Sequence, residues 1–121
     1  MRRILASLAL AIGLSFALAA CAPASEPIAL DEGTVVIDVR TPAEFASGHL
    51  EGAVNIDVQS PDFDALVGQL DPEGDYVVYC RSGNRSAQAI DRMEGLGFTD
   101  LVNAGSVQSA ADATGLPVVT D

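Results

Sequence analysis

The chain has 121 residues, enough for one small domain, and its 17 acidic side chains against six cations give a formal net charge of −11. All six cations are arginines. A surface this acidic repels polyanions, so the composition argues against nucleic acid as a partner.

Residues 1–20 have the pattern of an export signal. Two arginines precede an apolar run over residues 4–17 that is shorter than a membrane span, and small residues follow it. The stretch LAAC at 18–21 resembles the lipobox of bacterial lipoproteins, in which the cysteine is acylated and becomes the new N-terminus. We therefore expect Cys21 to carry lipid and to hold an exported protein in the cell envelope, on the periplasmic or extracytoplasmic face of a membrane. The alternatives are a transmembrane anchor and a freely secreted protein.

The next segment predicts a spacer and leaves a single thiol in the domain. Residues 21–33 form the predicted lipidated N-terminus and a linker rich in proline, alanine and acid, and residues 34–118 form the predicted domain. With Cys21 acylated, Cys80 is the remaining cysteine. An unpaired thiol in an oxidising compartment is a liability unless it is buried or used.

Strand and helix patterns alternate through the domain. Strands are predicted at 34–39, 53–57, 76–80 and 99–103, and helices at 42–48, 60–70, 86–96 and, weakly, 106–113, with an extended tail. Short β-branched strands separated by helices predict an α/β fold, with a small parallel sheet covered by helices on both faces. In such sheets ligands bind beyond the carboxyl ends of the strands, and Cys80 lies at such an end.

Details of the helices follow from caps and periodicity. Thr41 and Glu44 form a capping box around Pro42, and Gly48 is the expected stop. The second helix is expected to bury Phe63, Leu66, Val67 and Leu70, and the third Ala87, Ile90 and Met93.

Cys80 is followed by a loop suited to holding an anion. Ser82, Gly83 and Asn84 are small, and a loop of such residues between a strand and a helix turns several N–H groups inward. A thiolate there should have a pKa lowered from about 8.5 into a range of roughly 3.5–7.5. Arg81 and Arg85 add positive charge that would attract an anionic reactant.

The spacing of Cys80 and Arg85 favours one chemistry over another. Phosphatases that form a cysteinyl phosphate carry C-x5-R, whereas this loop is C-x4-R and closes a smaller ring. A smaller ring suits one added sulfur atom, so we favour a persulfide over a phosphocysteine.

Other polar residues predict supporting roles. We expect Arg40 to pair with Glu44 and His49 to stabilise a turn. No cluster has metal-ligand spacing, so neither a metal nor another cofactor is predicted.

The motifs together resemble the rhodanese domain. They are IDVR at 37–40, Pro42, EF at 44–45, GHL at 48–50, GA at 52–53, NI at 55–56, CRSGNRSAQA at 80–89, LGF at 96–98 and GLP at 115–117. The resemblance implies a parallel sheet of about five strands flanked by helices, and sulfane-sulfur transfer through a cysteine persulfide. By position, Cys80 matches the sulfur-accepting cysteine, and the cradle loop is matched by Arg81, Ser82, Gly83, Asn84 and Arg85.

The sequence departs from that family near its end. Members often have two glycines and then tryptophan where this chain has Ala104, Gly105 and, at about the tryptophan position, Ser109. We expect looser packing of the last helix and a more open wall of the pocket.

The resulting hypothesis is a sulfurtransferase that moves sulfur from thiosulfate or a similar anionic donor to cyanide or a thiol. The alternative is a carrier or binding module of the same fold without turnover of its own.

Overall fold

The computed structural model describes residues 26–120, so the predicted signal and Cys21 lie outside the described range. Ten elements follow one another in this range. In chain order they are β1 (Thr34–Asp38), α1 (Pro42–Ser47), β2 (His49–Leu50), β3 (Val54–Asn55), α2 (Phe63–Val67), β4 (Asp75–Tyr79), α3 (Asn84–Gly95), β5 (Asp100–Gly105), α4 (Val107–Thr114) and β6 (Val118–Val119). Within residues 26–120, none of the helices combines the length and apolar character needed to cross a membrane.

The main sheet is parallel, as predicted, but has four strands rather than about five. Its strand order is β3-β1-β4-β5, and Ile37 of β1 lies opposite Val78 of the adjacent β4. The predicted extended tail does not join this sheet. Its strand β6 instead pairs antiparallel with β2, where Val119 lies opposite His49.

Both faces of the sheet are covered, which confirms the layered arrangement. On one face, side chains from α2 and α3 pack on the strands; Phe63 and Met93 are fully buried there, together with Ile37 and Cys80. The other face packs against α4, β2 and the segment before β1. The central strands β1 and β4 are therefore nearly continuous apolar runs, as expected for a sheet buried on both sides.

The predicted helix caps are confirmed for α1 and the predicted inner faces only in part. Thr41 accepts from the Glu44 N–H, the Glu44 side chain accepts from the Thr41 N–H, and Gly48 ends the helix. The helix α2 has five residues and buries Phe63 and Val67, whereas Leu66 is 42% exposed. Ala87, predicted to face inward, is exposed as well.

The bounds of α3 also differ from the prediction. The helix begins at Asn84, two residues before its predicted start, and its buried side chains are Ser86, Ala89 and Met93. Ser86 therefore lies in the first turn, against the end of β4. The carboxyl ends of all four parallel strands meet at this edge of the sheet.

Candidate active site

Cys80 follows directly after the buried strand β4 and is itself fully buried. Its N–H donates to the Gly105 carbonyl at 2.9 Å, which continues the pairing of β4 with β5 for one more residue. The sulfur thus sits at the strand end where the sequence predicts it, enclosed by the loop that leads into α3.

The loop wraps back onto the sulfur through Gly83. The Gly83 N–H donates to Cys80 Sγ at 2.9 Å. Gly83 has φ 95°, a left-handed conformation that side chains rarely adopt, and a Cβ there would lie 3.4 Å from the Gly105 Cα. A glycine at this position lets the loop turn tightly enough to aim an N–H at the thiol.

The environment of Cys80 lowers the pKa of its thiol. Burial opposes ionisation, but hydrogen bonds outweigh it: the Ser86 side chain and the backbone N–H groups of Ser86, Ser82 and Gly83 all favour the thiolate. The direction agrees with the sequence prediction, and the donors belong to the loop and the first turn of α3. The arrangement can therefore stabilise a sulfur anion at a buried position.

Ser86 is a site residue that the sequence reasoning missed. Its Oγ lies 3.4 Å from Cys80 Sγ and is fully buried with it. The same hydroxyl lies 2.7 Å from Asn103 Oδ1 on β5. The sequence signal for Ser86 was its place at the predicted start of the third helix, but its contact with Cys80 depends on the helix beginning two residues earlier, at Asn84.

The two loop arginines differ in their surroundings. Arg85 binds Glu44 of α1 through both terminal nitrogens, at 2.7 Å to Oε1 and 2.9 Å to Oε2. Arg81 is exposed, and so are Ser82 and Asn84. The structure therefore gathers Cys80, Gly83 and Arg85 into one compact unit and leaves the other three loop side chains at the surface.

The predicted pair of Arg40 with Glu44 is wrong. Arg40 instead forms a buried ion pair with Asp38, with NH2 2.7 Å from Oδ2, and the same nitrogen donates to the Gly48 carbonyl at 2.6 Å. Glu44 is left to bind Arg85, because its capping interaction with Thr41 aims the carboxylate toward the loop. His49 lies at the turn after α1, as expected for a residue predicted to stabilise a turn, and its Nδ1 lies 2.8 Å from the Phe45 carbonyl.

The Glu44 carboxylate should make the free energy of unfolding depend on pH in the acidic range. Its hydrogen bonds with Arg85 lower its pKa from 4.5 to about 2, and the Thr41 contacts act in the same direction. A lowered pKa in the folded state gives stability that is complete above pH 4.5 and is lost as the pH falls toward 2. We expect Glu44→Gln to remove this acid-dependent loss and to cost up to about 1 kcal/mol at neutral pH, since the pair is partly exposed.

Urea unfolding of both proteins at a series of acidic pH values measures this effect. Glu94→Gln, which removes an exposed carboxylate on α3, is the control and should keep the wild-type dependence. If the free energies of unfolding of wild type and Glu44→Gln fell in parallel as the pH is lowered, the link between the Glu44 carboxylate and acid stability would be contradicted.

A cavity of about 620 Å³ lies on the other face of the sheet, between β4, β5 and α4. Val77, Val102, Ala104 and Ser109 are among its lining residues, and Cys80 is not. Ser109, near which the sequence predicts looser packing of the last helix, lies in its wall. Among residues 26–120, no group of three or more potential metal ligands comes together.

Comparisons with known proteins converge on one kind of domain. A family model described as "Rhodanese-like domain" matches residues 26–109. The chain is 38% identical over 84 residues to the putative mitochondrial thiosulfate sulfurtransferase of Schizosaccharomyces pombe, a match covering 60% of this chain and 59% of that protein. It is 32% identical over 75 residues to the thiosulfate sulfurtransferase PspE of Escherichia coli, covering 62% of this chain and 72% of that one.

A solved structure gives the same picture. The structure described as "rhodanese with anions from E. coli" superimposes with a TM-score of 0.61 at 28% identity, covering 73% of this chain and 99% of that chain. The chain spans only about three fifths of the length of the S. pombe relative.

Proposed function

This chain belongs to the rhodanese-like domain family, and on that premise we propose that it is a sulfurtransferase that moves sulfane sulfur from thiosulfate or a similar donor to a thiophilic acceptor. Cys80 carries the sulfur as a persulfide. The single observation that carries the proposal is the buried Cys80 thiol with the Gly83 N–H aimed at its sulfur. Relatives named as thiosulfate sulfurtransferases support the choice of donor.

The reaction needs a nucleophilic sulfur and no cofactor. The Cys80 thiolate attacks the terminal sulfur of thiosulfate, a new S–S bond forms, and sulfite leaves with the electron pair of the broken bond. The negative charge then rests on the outer sulfur of the persulfide. An acceptor such as cyanide or a thiolate attacks that outer sulfur, and the Cys80 thiolate leaves.

Access to Cys80 requires movement of the loop, because the side chain is fully buried in this structure. Residues 81–85 separate the sulfur from solvent on the loop side. Glu44 accepts from both terminal nitrogens of Arg85, so an anionic donor either displaces Glu44 or binds the N–H groups of Arg85 that Glu44 leaves unused. Arg81 is exposed and is free of that restraint, so it is the first positive charge that an arriving donor meets.

Intact mass after treatment with thiosulfate tests the persulfide. A gain of one sulfur atom that cyanide then removes supports the proposal, and the release of thiocyanate over many turnovers identifies an enzyme. A gain without turnover would instead support the carrier module. An unchanged mass would overturn both and leave a binding domain. Hydrolysis of an aryl phosphate would point to the phosphatase chemistry that the short loop disfavours.

We further propose that the protein is exported and anchored through lipid on Cys21. The proposal rests on the sequence of residues 1–21, which lie outside the described range. The domain then works on the outer side of a membrane. The predicted linker at 21–33 is too long at its end, because Ile28 and Leu30 pack against the sheet and the Ile28 N–H donates to the Ala113 carbonyl at 2.9 Å. Only the residues before Ile28 are therefore left to act as the tether.

Changing the predicted acylation site should release the domain. We expect Cys21→Ser, produced in a bacterial host, to move the protein from the membrane fraction to the soluble fraction or to leave its signal uncleaved. Metabolic labelling with a fatty acid should mark wild type and not the variant. Ala20→Ser, which keeps a small residue before the cysteine, is the control and should stay labelled. Equal labelling of wild type and Cys21→Ser would sink the proposal.

A further inference from the structure

Asn103 is connected to the Cys80 thiol through a single hydroxyl group. It lies near the end of β5, where the ladder shifts register: Val78 pairs with Asn103, but the next residue of β4, Tyr79, pairs with Gly105. The bulge leaves Ala104 without a partner in the ladder. Bulges of this kind are common next to active sites, where they re-aim a side chain.

The amide of Asn103 is held in one orientation. Its Oδ1 accepts the Gly105 N–H at 2.9 Å, and its Nδ2 donates to the Gly83 carbonyl at 3.2 Å. A backbone N–H can only donate and a backbone carbonyl can only accept, so the amide cannot be turned over without losing both bonds. The oxygen therefore faces Ser86, at 2.7 Å from its Oγ.

The Ser86 hydroxyl has one proton and three acceptors within reach. These are Asn103 Oδ1 at 2.7 Å, the Gly83 carbonyl at 2.9 Å and Cys80 Sγ at 3.4 Å. While Cys80 is a neutral thiol, its S–H can donate to Ser86 Oγ, and the Ser86 proton can go to Asn103. When Cys80 is a thiolate, the best use of the Ser86 proton is the sulfur, and Asn103 must give it up.

We infer that Asn103 is a positioning residue for Cys80, which competes with the sulfur for the hydroxyl proton of Ser86 and so limits the acidity of the thiol. The inference rests on the proposed function, because it concerns the same nucleophile. Such a limit is useful, since a thiol loses intrinsic nucleophilicity as its pKa falls, and the best attacking thiol has a pKa near the ambient pH.

Charged groups around the thiol act alongside this competition. Arg85 on α3 favours the thiolate, its partner Glu44 comes from α1, and the carboxylate of Asp57, between β3 and α2, acts on Arg85. Arg81 is exposed in the loop. Substitutions at Asn103 leave all four groups in the chain, so a change in the titration reports the hydrogen bonds.

The test follows the ultraviolet absorbance of the thiolate against pH, in the full chain with Cys21→Ser so that Cys80 is the only thiol. Absorbance needs no reagent and reports a buried sulfur. Burial raises the pKa of both Tyr79 and Tyr76, so tyrosine ionisation does not overlap with the thiol.

Two substitutions at Asn103 should move the midpoint in opposite directions. Asn103→Ala removes the strongest competitor and should lower the midpoint by about half a unit, the size of one net hydrogen bond. Asn103→Asp keeps an oxygen that accepts the Ser86 proton, adds negative charge and should raise the midpoint. Asn103 is exposed, so both variants are expected to fold, and each gives an independent reading.

Making the same two substitutions in a Ser86→Ala background tests whether Asn103 acts on Cys80 through the Ser86 hydroxyl. Without the hydroxyl, the shift caused by Asn103→Ala should vanish, and that caused by Asn103→Asp should shrink to the effect of its charge. A higher or unchanged midpoint in Asn103→Ala would overturn the inference, as would a shift of equal size in both backgrounds. Neither outcome would change the result of the persulfide test, because that test measures the mass of transferred sulfur and not the titration of the thiol.

Discussion

Replacing Cys80 with serine should abolish sulfur transfer while the domain stays folded. Serine has nearly the same shape, and its hydroxyl can accept the Gly83 N–H that now binds the sulfur at 2.9 Å. A hydroxyl does not ionise at neutral pH, however, and an attack on thiosulfate by oxygen would not form the S–S bond on which the second step depends. We expect the rate of thiocyanate formation from thiosulfate and cyanide to fall by at least about a thousandfold.

The purified variant and wild type are compared at equal concentrations, with circular dichroism to show that both are folded. Gln88→Ala is the control: it changes an exposed side chain on α3, outside the loop, and should retain the activity. Equal rates from wild type and Cys80→Ser would end the proposal of a persulfide on this residue.

Local patterns predicted the main strands and helices and the position of Cys80 among them. The β-branched runs identified β1 and β4, and the capping box around Pro42 identified α1, because each signal lies within a few residues of the element that it specifies. The end of β4 and the small residues after it then placed Cys80 at the carboxyl edge of a parallel sheet.

Contacts between distant residues were beyond this reasoning. Glu44 and Arg85 are 41 positions apart, and at the level of sequence Arg40, four residues away, was the nearer partner for Glu44. Asp38 took Arg40 instead because both are buried at the end of β1, where an unpaired guanidinium would be costly. Asp38 is only two residues from Arg40, and it was burial of the strand end, which no local pattern shows, that decided between Asp38 and Glu44.

The link between Ser86 and Asn103 shows the same limit. It depends on α3 beginning at Asn84 and on the bulge that shifts β5 against β4. Neither feature has a local signal in the chain that would bring those two side chains together. The sequence therefore predicts which sulfur reacts, and the structure is needed to find the polar groups that lie around it.

The buried carboxylate of Asp38 is expected to have the largest effect on the free energy of unfolding. Its carboxylate is fully buried and accepts from the Arg40 N–H, Nε and NH2. Arg40 is itself 5% exposed and reaches the Gly48 carbonyl at the end of α1. The pair thus ties the carboxyl end of β1 to the helix that carries Glu44, and through Glu44 to Arg85 of the loop.

We expect Asp38→Asn to lower the free energy of unfolding by about 3–5 kcal/mol, because it leaves the buried Arg40 guanidinium without its counter-charge. Asp64→Asn is the matched control. It breaks an exposed ion pair, in which the side chain of Asp64 is 55% exposed and that of Arg92 is 41% exposed, and should cost no more than about 1 kcal/mol. Urea unfolding measures both. Adding Arg40→Met to Asp38→Asn should recover part of the loss, since it removes the unpaired charge. Equal costs for the two asparagine variants, or no recovery, would show that Asp38 acts otherwise than by balancing Arg40.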